Sequence, residues 1–119
     1  MPPRRRTEPD VGRAALARVL EAHTMEPTDV RDAVRFLLEE IAERAPGRSV
    51  EIRVPPYGAV QCVEGPRHTR GTPPNVVETD PMTWVSLATG GTSWADAVGA
   101  GLVRPSGERA DLSAFLPLV

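Results

Sequence analysis

Residues 49–64, SVEIRVPPYGAVQCVE, decide the fold class of this chain. Apolar and charged residues alternate from Val50 to Val54, and a period of two is typical of a strand with one buried face. The letters PPYG turn the chain, and AVQCVE then returns as a second strand, so this stretch predicts a β-hairpin. Residues 75–79, NVVET, are a third candidate strand, which completes a block of strands in the middle of the chain.

Two helices are predicted before this block, from residue 10 to about 23 and from 28 to 44, with Asp10 and Thr28 as N-caps. The first helix has an apolar face made by Val11, Ala15, Leu16, Val19 and Leu20. The second has the clearest periodicity in the chain, with apolar residues at offsets of 0, 3, 4, 7, 8 and 11 from Val30. A stripe of this kind covers another surface, most simply a sheet face.

Helix signals return after the strands. Asp80-Pro81 is an N-cap followed by proline at the first helical position, and Gly90-Gly91 ends that helix. Ser93 starts a short helix, residues 102–107 (LVRPSG) form a short strand, and a last helix is predicted from the spacing of Leu112, Phe115 and Leu116. A block of strands between helices indicates an α+β fold with a mostly antiparallel sheet. The phosphate-binding loops GxGxxG and GxxxxGK[ST] do not occur.

Composition excludes several classes of protein. The 119 residues fit one domain at 10–119, preceded by a Pro- and Arg-rich flexible tail at 1–9. The net charge of −2 gives no field for nucleic acid, and no apolar run reaches the roughly 20 residues that cross a bilayer. A single cysteine, Cys62, excludes a disulfide framework and a clustered thiolate metal site. We therefore expect a cytoplasmic protein without membrane insertion, metal or cofactor.

The sequence also lacks the motifs of the common catalytic sites. GxSxG, HExxH and CxxC are absent, and His23 and His68 have no evident acid or serine partner in the sequence. Cys62 shares a strand face with Val60 and is expected to be a small buried apolar residue. We predict no catalytic residue and no enzymatic activity.

The stretch GPRHTRGTPP, residues 65–74, allows two interpretations. Arg67, His68 and Arg70 are not balanced by an acid within the stretch, and arginine binds carboxylate and phosphate groups well. They are candidate polar contacts for an anionic head group. Alternatively, the prolines and glycines fix a turn, and the arginines pair with nearby carboxylates such as Glu64 or Glu78.

The stretch ETDPMTWVSLATGGTSWADAVGAGLVRPSGERADLSAFLPL, residues 78–118, resembles the sterol carrier protein family. The order of features carries the resemblance: an acidic residue at a strand end, a helix that ends in glycine, a helix of small residues, a strand flanked by glycines and a final apolar helix. The positions that match are Asp80, Trp84, Leu87, Gly90, Ala97, Gly101, Leu102, Gly107, Leu112 and Leu116. From about residue 10, the chain is similar to the small stand-alone actinobacterial branch of that family.

The resemblance implies about five strands layered with helices around an apolar cavity, which takes up fatty acyl chains or sterols without catalysis. Our first hypothesis is thus non-enzymatic binding of a small apolar or acyl-type ligand, with Arg67, His68 and Arg70 as its polar rim. The candidate apolar lining is Val60, Trp84, Leu87 and Leu102, although a large aromatic residue such as Trp84 is also typical of a packed core. The alternative is a protein-interaction or regulatory module or a homodimer, which the stripe at 30–41 and the basic tail favour.

Overall fold

The computed structural model describes residues 7–22, 26–65 and 75–119. These residues form an α+β fold, as the sequence predicts. The elements in chain order are α1 (Pro9–Ala22), α2 (Pro27–Arg44), β1 (Val50–Val54), β2 (Gly58–Cys62), β3 (Asn75–Thr79), α3 (Pro81–Thr89), α4 (Trp94–Gly99) and β4 (Val103–Ser106).

The described strands form one sheet in the order β2-β1-β3-β4. The predicted hairpin is present, because β1 and β2 pair antiparallel with Ile52 opposite Val60. However, β3 pairs with β1 in parallel, and β4 then pairs antiparallel with β3. The prediction of about five mostly antiparallel strands is therefore corrected to four strands in a mixed sheet. Alternation in the sequence determines which face of a strand is buried, but it does not determine the direction of the neighbouring strand.

The sheet has one buried face and one polar face. Val50, Ile52, Val54 and Val77 have at most 1% of their surface exposed and belong to the core. The opposite face carries charged pairs: Arg53 binds Glu51, and an Arg104 guanidinium nitrogen lies 2.6 Å from the Glu78 carboxylate. This is the expected pattern of a two-layer α+β domain, in which helices cover only one side of the sheet.

Helix α2 is the central helix of the fold. Its predicted stripe from Val30 to Ile41 is buried, and Phe36 and Ala42 are buried as well. The N-cap is Glu26 rather than Thr28, because the Glu26 carboxylate accepts hydrogen bonds from the backbone nitrogens of Thr28 and Asp29 at 3.2 and 2.9 Å. Since the stripe lies in the core, it does not form an open docking surface.

Helix α1 packs antiparallel to α2. Arg18 binds Asp29 at 2.9 Å, near the start of α2, and the Thr7 backbone nitrogen lies 3.2 Å from the Glu39 carboxylate, near its end. Val11 and Leu20, two members of the predicted apolar face of α1, are 48% and 44% exposed. The packed face of α1 is therefore narrower than its apolar face, and Leu20 remains at the surface.

After β3, the elements begin and end where the sequence predicts, except over the last residues of the chain. Asp80 caps α3, and Gly90 ends it with a φ of 82°. The predicted helix over 112–116 is wrong: these residues form a turn, and the chain then runs along α3, where the Ala88 carbonyl accepts hydrogen bonds from the Leu118 and Val119 nitrogens at 2.8 and 3.2 Å. Pro117 disfavours the helical conformation at Leu116, and the hydrogen bonds to Ala88 hold the chain beyond it in an extended course. In the described ranges, no helix combines the length and the apolar character needed to span a lipid bilayer.

Candidate ligand-binding groove

The structure describes the residues of the predicted apolar lining but not those of the predicted polar rim. Arg67, His68 and Arg70 fall in residues 66–74, outside the described ranges. The four apolar candidates are described, and they do not share one surface. Val60 lies on β2 at one edge of the sheet, whereas Leu102 precedes β4 at the opposite edge and is 48% exposed.

Trp84 and Leu87, the other two candidates, lie together in the core on α3. They are 0% and 2% exposed, so no void the size of a water molecule lies against Trp84. The Trp84 indole nitrogen donates a hydrogen bond to the Val34 carbonyl of α2 at 3.3 Å, which fixes the ring between the two helices. In this conformation Trp84 and Leu87 therefore act as packed core residues.

A cluster of polar groups joins the chain segments on either side of residues 66–74. The Ser49 hydroxyl donates to the Val63 carbonyl at 2.7 Å, and the Asn75 side-chain nitrogen donates to the Ser49 carbonyl at 2.7 Å. The Asn75 side-chain oxygen accepts a hydrogen bond from the Arg109 backbone nitrogen at 2.9 Å. Because Ser49 and Asn75 are buried and their polar atoms are partnered, this cluster stabilises the starts of β1 and β3.

A separate cavity lies on the surface, along one flank of α1. It has a volume of about 400 Å³, within the range of small-ligand sites. We call it the α1–α2 groove, and its lining residues are Arg13, Leu16, Ala17, Leu20 and Glu21 of α1, Phe36, Glu40 and Arg44 of α2, and Val119.

The groove exists because the two helices cross closely at Gly12. A β-carbon at Gly12 would lie only 2.4 Å from the Phe36 β-carbon, so glycine allows the α1 backbone to rest on the Phe36 side chain. This contact buries Phe36 in the floor, next to Leu16, while Leu20 and Val119 remain exposed at the rim. The groove thus has a nearly closed apolar floor and an open apolar side.

Two arginines border this apolar surface, and their surroundings differ. The Arg44 guanidinium lies 3.1 Å from the Glu40 carboxylate and also donates to the Leu118 carbonyl. The Arg13 guanidinium carbon lies 5.6 Å from the centre of the Phe36 ring, a distance typical of a cation–π contact. Arg44 is thus tied to the protein by two polar contacts, whereas Arg13 rests on an aromatic face at the groove.

Sequence reasoning missed most of this groove. Leu16 and Leu20 were assigned to the packed face of the first helix, and Arg13, Ala17 and Glu21 were not singled out. A signal was nonetheless present: positions 13, 16, 17, 20 and 21 follow helical spacing and form one flank. What the sequence does not contain is the neighbouring helix that turns this flank into a concave surface.

The described residues offer little reactive chemistry. Burial raises the pKa of the Cys62 thiol to about 12, which keeps it protonated and unreactive at neutral pH. Among the residues that the structure describes, no cluster of three or more His, Cys, Asp or Glu side chains is arranged to hold a metal ion.

Comparison with known families agrees with the resemblance noted from the sequence. Residues 26–118 match the family described as "Bacterial SCP ortholog", in which SCP denotes sterol carrier protein. The chain belongs to this family. The match begins at Glu26, the N-cap of α2, so α1 precedes the matched region of this sterol-carrier-like protein. A search of curated proteins finds no match.

Proposed function

We propose that this sterol-carrier-like protein binds a small apolar or acyl-type ligand without catalysing a reaction on it. Membership of the family over residues 26–118 supports binding in general, because the family is generally a non-enzymatic carrier fold. The α1–α2 groove is the observation that carries the proposal. It presents apolar surface from Leu20 and Val119 in a concave space of about 400 Å³.

We place the ligand in the groove rather than in the core around Trp84. A ligand beside Trp84 would have to displace side chains that already fill the space, and overpacking a dense core costs about 1–3 kcal/mol for even a few added carbons. The groove needs no such displacement, because its apolar rim is already open. Burying the Leu20 side chain under a ligand would contribute up to about 1–2 kcal/mol, from about 25 cal/mol per Å² of apolar surface.

Native mass spectrometry tests this proposal. The protein as purified, and the protein mixed with short acyl lipids, should carry additional mass that corresponds to one bound ligand. Ala17→Trp should abolish this mass shift, because Ala17 lies in the groove and an indole would fill it. Ala14→Trp is the matched control, since Ala14 is an exposed alanine of the same helix outside the groove lining.

Two results would count against the proposal. Absence of any co-purified ligand, together with no shift after addition of acyl lipids, would contradict carriage altogether. Equal binding by wild type and Ala17→Trp would place the ligand elsewhere. In that case Arg67→Ala with Arg70→Ala tests the polar rim predicted from the sequence: lower affinity at unchanged thermal stability would assign the ligand to that loop.

The alternative of a protein-interaction module is less well supported. The stripe at 30–41, which favoured it, is buried between α1, the sheet and α3 and offers no surface to a partner. Light scattering provides the check, because a homodimer at micromolar concentration that dissociates in Ala17→Trp would assign the groove to a second copy of the chain.

A further inference from the structure

The position of Arg13 indicates the chemical class of ligand that the groove selects, an inference that rests on the function proposed above. Arg13 is the fifth residue of α1 and lies on the flank that lines the groove. Its guanidinium sits over the Phe36 ring, at a distance of 5.6 Å from the guanidinium carbon to the ring centre. The Arg13 side chain is 62% exposed, so its donors are accessible to a ligand at the groove.

The carboxylate that pairs with Arg13 holds it only weakly. The Arg13 nitrogen lies 3.4 Å from an Asp10 oxygen, and the Asp10 side chain is 91% exposed. Exposed pairs of this kind contribute little and exchange readily with other anions. Arg44, by comparison, is held by Glu40 at 3.1 Å and by the Leu118 carbonyl. Arg13 is therefore the groove cation that a ligand engages at the lower cost.

The charged side chains make the two ends of the groove electrostatically different. Glu40 and Arg44 pair with each other, and the other two charged side chains among the described lining residues are Arg13 and Glu21. They lie eight residues apart on α1, or about 12 Å along the helix axis. Between them the lining is apolar or small, with Leu16, Ala17 and Leu20 in sequence.

We propose that Arg13 selects an anionic head group, and that the groove binds a single-chain anionic amphiphile with its head at Arg13. The apolar tail lies over Ala17 and Leu20 toward the Glu21 end. Glu21 repels the opposite orientation, in which an anionic head would approach a carboxylate. Neutral polycyclic ligands do not supply the charge that this arrangement recognises. Because α1 precedes the residues that match the family, this specificity belongs to the N-terminal helix of this chain.

Isothermal titration with two matched probes tests the inference: decanoate and decan-1-ol, both below their aggregation concentrations. Wild type should bind decanoate at least tenfold more tightly than decan-1-ol, as expected for a hydrogen-bonded charge pair. Arg13→Gln should lower decanoate affinity to that of decan-1-ol and leave the binding of decan-1-ol unchanged. Arg48→Gln, an exposed arginine outside the groove lining, should change neither.

Each outcome is informative. If both probes bind wild type equally and Arg13→Gln changes nothing, while Ala17→Trp abolishes both, the proposed function stands and the selection by Arg13 is wrong. If neither probe binds wild type, the proposed function fails with it. Thermal unfolding of Arg13→Gln provides the folding check. Should the variant melt more than a few degrees below wild type, Arg13→Lys, which keeps the charge, must restore decanoate binding or the inference is overturned.

Discussion

Replacing Gly12 by alanine tests the close crossing of α1 and α2 on which the groove depends. The added β-carbon would lie 2.4 Å from the Phe36 β-carbon, 2.6 Å from Cγ and 2.8 Å from Cδ1. Carbon atoms in contact prefer separations of about 3.5–4.0 Å, so the shortest of these distances must lengthen by about 1 Å or more. The Phe36 β-carbon is attached directly to the α2 backbone and cannot turn away, so the helices themselves must move apart.

Two opposing terms determine the change in the free energy of unfolding. Alanine in place of glycine inside a helix contributes about 1 kcal/mol of stability. Overpacking costs about 1–3 kcal/mol, and the rigid position of the Phe36 β-carbon favours the upper end. The expected net effect of Gly12→Ala is a destabilisation of about 2 kcal/mol, or a decrease in Tm of about 8 °C for a chain of this size.

Chemical denaturation of the variant, with Gly99→Ala as a matched control, measures this effect. Gly99 is also helical, and a β-carbon there would meet nothing within 4 Å. Gly99→Ala should therefore stabilise the protein by about 0.5–1 kcal/mol. A double variant with Phe36→Ala removes the contacts to Cγ and Cδ1 but keeps the β-carbon at 2.4 Å, so the cost of Gly12→Ala should fall only in part in that background.

If Gly12→Ala stabilises the protein as much as Gly99→Ala does, the two helices do not pack as closely as described. The groove would then lack its floor at Phe36, and the reasoning that derives a ligand site from this crossing would be wrong. If Gly12→Ala is destabilising but its cost is unchanged in the Phe36→Ala background, the phenyl ring does not take part in the clash, and the contact with the phenyl ring on which the groove floor depends is wrong.

Three further predictions concern the rest of the domain. Gly47→Ala should cost about 3 kcal/mol or more in urea unfolding, because its β-carbon would lie 2.1 Å from the Val63 carbonyl oxygen and its φ of 153° disfavours a side chain. Asp80→Ala removes the N-cap of α3 and should cost about 1 kcal/mol at neutral pH. Burial acts to raise the pKa of Asp80, but the hydrogen bonds that it accepts, chiefly from Thr83, outweigh burial and lower the pKa below 3.8. The carboxylate thus contributes stability above pH 3.8 that is lost as the pH falls through the lower native pKa, so the Tm values of wild type and variant should converge only in that acid range. Since burial raises the pKa of Cys62 to about 12, the thiol should react with DTNB at pH 8 only after unfolding in guanidinium chloride; rapid reaction of the native protein would contradict its burial.

The parts of the fold that the sequence predicts are those that local chemistry determines. The strand at 75–79 has the predicted bounds, and α3 begins directly after Asp80, which accepts a hydrogen bond from the Thr83 backbone nitrogen at 3.1 Å. Caps, glycine stops and strand alternation each depend on residues within about four positions of one another, and these are visible in a single sequence.

The parts that sequence reasoning missed depend on residues far apart in the chain. The parallel pairing of β1 with β3 aligns Val50 with Asn75, and neither strand contains a signal for the direction of its neighbour. The helix predicted over 112–116 has the right spacing of apolar residues, but the backbone there is held by Ala88 of α3 instead. Local spacing competes with tertiary contacts, and at the end of this chain the tertiary contacts prevail.

The candidate site was missed for the same reason. Trp84 and Leu87 were placed in a ligand cavity because the family resemblance implies one, yet their side chains are buried in the core, where Trp84 donates a hydrogen bond to Val34 of α2. The groove depends on Gly12 and Phe36, which are 24 positions apart. In a sequence, a glycine inside a helix indicates lower helix stability. Its role in close packing is apparent only once the neighbouring helix is known.

The N-terminal helix therefore has two effects on a domain that otherwise matches its family from residue 26 onward. It covers the outer side of α2, where Phe36 would otherwise be exposed, and it adds a flank with Arg13 and Leu20 that the matched region does not contain. Both effects depend on the same contact at Gly12, so stability and ligand binding are coupled through it. A ligand that occupies the groove should stabilise the packed position of α1, by about 2.7 kcal/mol at one hundred times its Kd. This is close to the expected cost of Gly12→Ala, so ligand at one hundred times the Kd of the variant itself should return the Tm of that variant to near that of ligand-free wild type, and that Kd should be higher than the Kd of wild type.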